Sequence, residues 1–188
     1  GGEKTTVTIG NNSTIREYVT ISRGTEDKMT TSIGENCLIM AYSHIAHDCI
    51  IGNNCVIVNG VQIAGHVKVN EYAIIGGGTL VHQFVKIGEH SMVAGGSLIR
   101  KDVPPFCKAG KEPLSYGGVN SIGLKRRDFS SDQINEIQNI YRILYLEGRN
   151  NSQAIEKIEK DIPKSKEKNI VLNFIKNSER GIIKGLLD

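Results

Sequence analysis

Residues 43–55 read SHIAHDCIIGNNC, with His44 and His47 three apart and Asp48 directly after the second histidine. Further along stand His66, then His82 beside Gln83, and finally His90. Imidazoles beside a carboxylate are equipped for general base catalysis. Histidine titrates near pH 6.5 when unperturbed, and a carboxylate can hold one ring tautomer and stabilise the imidazolium. The same residue types can ligate zinc, if imidazoles from separate segments or chains converge. They can also be polar corner residues of a repeat, with no chemistry at all. The elements that carry them decide among these readings.

Those elements follow a period of six. Stepping by six from Ile33 meets Ile39, Ile45, Ile51, Ile57, Ile63, Val69, Ile75, Val81, Ile87, Val93 and Ile99. Backwards the column continues through Asp27, Ile21, Ile15 and Ile9, so only Asp27 breaks it. It falls in the polar stretch from Arg23 to Thr30, which reads as a loop excursion kept in register. The slot two residues earlier holds only small or β-branched residues. Cys37, Cys49 and Cys55 fall in it and read as buried fillers. Gly, Asn or Asp often follows the aliphatic position, where a corner needs positive φ. A 3.6-residue period cannot produce this pattern, nor can simple alternation. Short flat strands joined by corners can, three hexads to a triangular turn of 18 residues.

Neighbouring strands lie roughly 4.7–4.9 Å apart, so residues i and i+18 stack as near neighbours. His47 then stacks on Gly65 and Gln83, Asp48 on His66 and Phe84, and Ala46 on Ala64 and His82. His44 lies on the strand leading into the same edge, while His90 belongs to another corner with Asn54 and Tyr72. A glycine one coil from a histidine can offer its backbone N–H to a developing oxyanion. His47, Asp48 and Gly65 therefore have the types and adjacency for acyl transfer. Adjacent strand residues point to opposite faces, so only a corner lets His47 and Asp48 meet.

The bulk composition fits this scaffold. The chain of 188 residues is 39% hydrophobic and 5% aromatic, without Trp, and contains 21 glycines. Its net charge of +3 is too small to imply a nucleic-acid partner. The four cysteines form no C-x-x-C pair, which argues against a zinc knuckle or a thioredoxin-like centre. No apolar run reaches membrane-spanning length and no signal-peptide pattern is present, so no membrane insertion and a cytoplasmic location are expected. Residues 1–103 read as the β-helix, ending at Val103-Pro104-Pro105, where proline removes ladder donors. Residues 104–129 read as a connecting strap and 130–188 as a small helical domain. Ser130 with Gln133 marks the first helix start, and Gly148 its stop. Ser152 is expected to cap a second helix, and a third covers about Lys166 to Ser178.

The runs HIAHDCIIGNNC, AGHV, IIGGGTLVHQFVKIGEH, DVPPF and GVNSIGLKRRDFS, spread over nearly the whole chain, carry a specific resemblance. They resemble the UDP-N-acetylglucosamine O-acyltransferases that open lipid A synthesis, within the hexapeptide-repeat proteins. That resemblance implies a left-handed parallel β-helix with a C-terminal helical domain, assembled as a homotrimer with sites between subunits. It implies transfer of a (3R)-3-hydroxyacyl group from acyl carrier protein to the 3-hydroxyl of UDP-N-acetylglucosamine, with no cofactor and no metal. His47 matches the catalytic base, Asp48 its orienter and Gly65 the oxyanion donor. His44, His66, His82 and Gln83 match residues around the sugar and its phosphates. Asn120 and Arg127, with Arg126 beside them, match nucleotide contacts. Gly95 matches the position limiting acyl reach, and Cys107 matches none. Lys125, Arg126 and Arg127, with Lys101, Lys108 and Lys111, form a basic surface suited to an acidic carrier protein and a diphosphate.

The family's upstream coils, with an acidic residue and a lysine near the sugar, have no counterpart here, so an N-terminally incomplete β-helix is expected. Ile122 stands where relatives can carry an acidic residue. The rival readings are the N-acyltransferase of the same pathway, a zinc site like that of γ-class carbonic anhydrases, and a non-catalytic β-helix scaffold.

Overall fold

The computed structural model describes residues 2–185. Fifteen short strands wind as five coils. The first coil is β1 (Thr6–Ile9), β2 (Thr14–Ile15) and β3 (Thr20–Ile21), and the second is β4 (Thr30–Ile33), β5 (Leu38–Ile39) and β6 (His44–Ile45). The third is β7 (Ile50–Ile51), β8 (Val56–Ile57) and β9 (Gln62–Ile63), and the fourth β10 (Lys68–Val69), β11 (Ile74–Ile75) and β12 (Leu80–Val81). The fifth is β13 (Lys86–Ile87), β14 (Met92–Val93) and β15 (Leu98–Ile99). Each strand pairs in parallel with the one three places on. Three sheets result: β1-β4-β7-β10-β13, the sheet holding β2-β5-β8-β11-β14, and β3-β6-β9-β12-β15. We refer to them as the first, second and third sheets.

The aliphatic column fills the prism. From Ile33 to Ile99 every member is buried, and the small slot from Thr31 to Ser97 is buried beside it. Burying one such Ile contributes roughly 1.5–3 kcal/mol before chain entropy is subtracted, so the column sustains a core without large aromatics. In the first coil Ile9 and Ile15 are 47% and 37% exposed.

The 18-residue register holds from the second coil to the fifth, as in His44↔Gln62 and Leu38↔Val56, and shortens to 16 where Met92 pairs with Lys108. It fails between the first two coils. There the pairs are Thr6↔Thr30, Thr14↔Leu38 and Thr20↔His44, an offset of 24. One extra hexad is spent in the excursion between β3 and β4. Gly24 lets it fold tightly, since a Cβ there would lie 2.3 Å from the Thr30 nitrogen. The Met29 N–H closes it on the Thr25 carbonyl at 2.7 Å.

The corners use positive φ with aromatic side chains and Asp48 as well as with Gly and Asn. Tyr42, Asp48, His66, Tyr72, Phe84 and His90 all have φ between 56° and 64°. Such values are strained for L-residues and persist only where the surroundings over-determine them. Here stacking helps: Tyr72 lies on His90 at 4.7 Å and His66 on Phe84 at 4.7 Å.

The ladder does not stop at Val103-Pro104-Pro105. Val103 bridges to Ile87, and the second sheet gains β16 (Cys107–Gly110), parallel to β14, then β17 (Ser115–Val119), antiparallel to β16. The prolines are tolerated because they occupy a corner over Gly88, outside the ladder. The predicted strap thus contains a hairpin and a short helix, α1 (Ser121–Lys125), capped by Asn120.

Three helices follow: α2 (Ser131–Tyr145), α3 (Asn151–Asp161) and α4 (Lys166–Lys176). Ser130 caps α2 in a reciprocal box with Gln133, as its spacing predicts. The cap of α3 is Asn150, in a box with Gln153, and not Ser152. Asn150 stands three residues before a glutamine able to return the hydrogen bond; Ser152 does not. The helices dock through Ile137, Ile140 and Tyr141, whose hydroxyl donates to the Pro105 carbonyl. Asp102, fully buried, accepts from the Lys86 N–H and the Ser178 hydroxyl, tying the end of α4 to the β-helix.

Candidate active site

The corner that carries β6 into β7 brings His47 and Asp48 together. Positive φ at Asp48, 59°, turns its side chain back toward its neighbour. His47 Nδ1 lies 2.9 Å from Asp48 Oδ2. The acceptor is a carboxylate, so Nδ1 carries the proton and Nε2 presents its lone pair outward. The His47 side chain is 45% exposed, while that of Asp48 is fully buried. Asp48 is further held by the Thr25 N–H on Oδ1 at 2.8 Å and the Thr25 hydroxyl on Oδ2 at 2.6 Å. Its own N–H donates to Thr31 Oγ1 at 2.8 Å.

Burial alone would push the Asp48 carboxyl up. The hydrogen bonds from Thr25 and His47, with the nearby His66, outweigh it and hold the carboxyl at about 2 against an ordinary 3.8. A depressed carboxylate stabilises the fold above its ordinary value, and that stabilisation is lost as pH falls through about 2. Asp48→Asn is therefore expected to flatten the fall of melting temperature between about pH 4 and pH 2. Melting curves across that range check this, and an unaltered slope would show that Asp48 is not held as described.

Gly65 sits directly over His47. A Cβ built on Gly65 would lie 2.7 Å from His47 Cε1 and 2.8 Å from Nε2. The ring therefore occupies the space a side chain would need. The Phe84 N–H donates to the Gly65 carbonyl and the His66 N–H to the His47 carbonyl, which fixes the three coils in the expected stack. Among the described residues, the Gly65 N–H has no hydrogen-bond partner. Not every first corner residue shares that freedom, since the Glu35 N–H donates to Asn53 Oδ1 at 2.9 Å.

The remaining edge residues gather as the register predicts. His66 stands edge-on to the His47 ring at 5.1 Å, with Nε2 3.7 Å from Asp48 Oδ2 and Nδ1 3.3 Å from Asp27 Oδ2. His44 Nδ1 meets the Thr20 hydroxyl at 2.7 Å on the third sheet. His82 and Gln83 are exposed two coils above His47, the His82 Nδ1 3.1 Å from the Gln83 carbonyl. Donor atoms of His47, Asp48 and His66 lie within 4.8 Å of one another, which is the nearest approach to a metal-binding set among the described residues. Both rings turn toward the same carboxylate oxygen, so a cation there would have to displace the His47–Asp48 hydrogen bond. What the arrangement can do chemically is hold one tautomer of His47 with Nε2 available to accept a proton.

The other predicted site residues lie elsewhere on the same prism. Gly95 is at the corner between the second and third sheets, exposed, with the Gly77 carbonyl 3.0 Å from where its Cβ would be. Asn120, Arg126 and Arg127 lie by the corner between the first and second sheets. Asn120 is buried and internally employed: its Nδ2 donates to the His90 carbonyl at 3.0 Å, and its Oδ1 caps α1. Arg127 lies over the Tyr72 ring at 5.3 Å, donates to the Tyr72 carbonyl and leaves Nη1 buried and unpaired. Arg126 and Ile122 are exposed. Burial among Tyr72, Phe106 and Phe129, with Arg127 and Lys166 nearby, pushes His90 down to about 4. A single chain thus distributes the predicted residues over three corners. Cys107 is fully buried, its thiol donating to the Pro104 carbonyl at 3.0 Å. Thr25 and Asp27 escape a reading by stacking, because the extra hexad changes the offset that would have aligned them; Thr31 follows the 18-residue register but stacks beside Cys49, one residue from the Asp48 N–H it accepts from.

Comparison with known proteins gives a consistent picture. A family model for UDP-N-acetylglucosamine O-acyltransferase, domain 2, matches residues 102–183, and one for six bacterial transferase hexapeptides matches residues 30–65. An acyl-[acyl-carrier-protein]–UDP-N-acetylglucosamine O-acyltransferase of Sulfurihydrogenibium is 58% identical over 96% of this chain and 67% of its own length. The enzyme of that name from Aquifex aeolicus is 57% identical over 96% of this chain and 70% of its own. Among solved structures, a UDP-N-acetylglucosamine acyltransferase from Bacteroides fragilis superposes with a TM-score of 0.96 at 47% identity, covering 98% of this chain and 72% of that one. With that superposition the coils take the left-handed sense expected for the fold. The chain belongs to the acyl-[acyl-carrier-protein]–UDP-N-acetylglucosamine O-acyltransferase family.

Proposed function

We propose that this chain transfers a (3R)-3-hydroxyacyl group from acyl carrier protein to the 3-hydroxyl of UDP-N-acetylglucosamine, the first step of lipid A synthesis. The observation that carries the reading is the His47 ring, oriented by buried Asp48 and filling the space beside Gly65, whose N–H is free. His47 Nε2 takes the proton of the sugar hydroxyl as its oxygen attacks the thioester carbon. The Gly65 N–H donates to the oxyanion that forms. Collapse breaks the carbon–sulfur bond, and the leaving thiolate takes the proton from His47. The thioester is already activated, so every step uses groups in hand.

Three corners on one prism do not make one pocket. The reading therefore includes a homotrimer of parallel prisms, in which the His47 corner of one subunit faces a neighbour's corner and the cleft between them holds the substrates. The exposed Lys101, Lys108, Lys111, Lys125 and Arg126 supply the positive surface an acidic carrier protein would meet. The cytoplasm, where carrier protein and nucleotide sugars occur, is the compartment this reading requires. No helix among the described residues is long and apolar enough to cross a membrane.

The test is to mix the protein with UDP-N-acetylglucosamine and a panel of 3-hydroxyacyl carrier proteins and identify the product. An ester at the sugar 3-oxygen supports the reading; an amide product, or no transfer by a trimeric preparation, overturns it. The same panel tests Gly95 as the limit on acyl reach. Each buried methylene is worth roughly 0.8 kcal/mol, so Gly95→Met, blocking about four of them, is expected to shift preference toward shorter chains by about 10²-fold. An unchanged chain profile, with the melting temperature retained, would remove Gly95 from that role.

A further inference from the structure

Asp48 orients His47, and Thr25 in turn holds Asp48. The six-residue excursion between β3 and β4 is the one place where the repeat is lengthened, and it ends on that carboxylate. Both Thr25 donors are spent there, the N–H on Oδ1 at 2.8 Å and the hydroxyl on Oδ2 at 2.6 Å. Oδ2 is also the oxygen that faces His47 Nδ1 at 2.9 Å. The loop behind Thr25 is rigidly built: Gly24 is buried against Met29 and Thr30, its N–H donates to the Thr6 carbonyl at 3.1 Å, and Thr25 to Met29 close into a turn. Asp48 is a strained, positive-φ residue, and a carboxylate with free rotation about its last bond would not keep Oδ2 on the imidazole.

We infer that Thr25 is a positioning residue of the acyl-transfer site, and that the extra hexad serves to deliver it, its two donors fixing the plane of Asp48 and through it the orientation of His47. Both Thr25 donors go to Asp48 and neither to His47, so its effect is expected on turnover rather than on substrate binding. The inference rests on the acyltransferase reading of His47.

The experiment compares wild type, Thr25→Val, Thr25→Ser and His47→Ala, measuring kcat, KM for UDP-N-acetylglucosamine and melting temperature. Valine matches the shape of threonine but lacks its hydroxyl, and the backbone N–H remains. Thr25→Val is expected to lower kcat about tenfold with KM changed less than twofold. Thr25→Ser is expected to recover most of the loss, since it restores the hydroxyl. Wild-type kcat in Thr25→Val overturns the inference. So does an equal loss in Thr25→Ser, or a loss appearing only as raised KM. His47→Ala separates the two claims. If it is inactive while Thr25→Val turns over normally, only the positioning role fails. If His47→Ala retains turnover, the reading of the base fails, and the inference with it.

Discussion

His47→Ala is expected to lower turnover by about 10²–10⁴-fold, the range a positioned general base contributes. The melting temperature should change little. The imidazole is half exposed and sits on a corner, outside the aliphatic column, so its removal opens no internal cavity. Asp48 keeps both Thr25 donors and so is not left buried without a partner. The assay is product formation at saturating carrier protein beside a thermal melt. Turnover within threefold of wild type would end the assignment of His47 as base. A large fall in melting temperature would reassign the residue to structure.

Gly65→Ala should cost nearly as much by a different route. Gly65 does not need positive φ, so alanine is compatible with its backbone. The obstacle is the ring below: a Cβ would stand 2.7 Å from His47 Cε1, well inside contact distance, with only a side chain to give way. The imidazole faces solvent and can swing out. The fold then survives while the base leaves its place beside the Gly65 N–H. Misplacement approaching 1 Å costs on the order of 10²-fold in rate, which is the expected fall in kcat. A double-mutant cycle identifies the cause. If alanine acts by moving His47, its penalty should largely vanish in a His47→Ala background. Full additivity would show that the ring displacement is not the mechanism.

Much of the architecture was legible because the chain repeats. A column of Ile and Val at every sixth residue, with a small residue two before each, leaves a three-sided prism as the packing that buries both. The stack of His47 under Gly65 and Asp48 under His66 follows from that period. Its success rests on the 18-residue register holding from the second coil to the fifth. What escaped lies where the period breaks. Thr25 approaches Asp48 across 23 residues, an alignment hidden until one hexad is set aside as an excursion. The hairpin of β16 and β17 escaped because CKAG and SYGGV carry no hexad pattern, and because the prolines read as a stop when they serve as a corner. The misplaced cap of α3 came from three consecutive candidates, Asn150, Asn151 and Ser152; the reciprocal bond from Gln153 selects the first. The separation of Gly95 from His47 follows from the same 18-residue step, since Gly95 stacks on Gly77 and Asn59, whereas Arg127 lies outside the repeats and its corner shows only in its packing on Tyr72.

The offset of 24 between the first two coils has a bearing on how such a chain can be lengthened or shortened. Each hexad advances the path by one side of the triangle. Six added residues can bulge out and leave all later alignments untouched, and eighteen would add a whole storey. One or two added residues would rotate everything downstream, turning aliphatic side chains to solvent and scattering the histidines. Within the five coils length variation is therefore favoured in multiples of six, placed at a vertex; only past the last coil, where Ile87 pairs with Val103 and Met92 with Lys108, does the offset fall to 16.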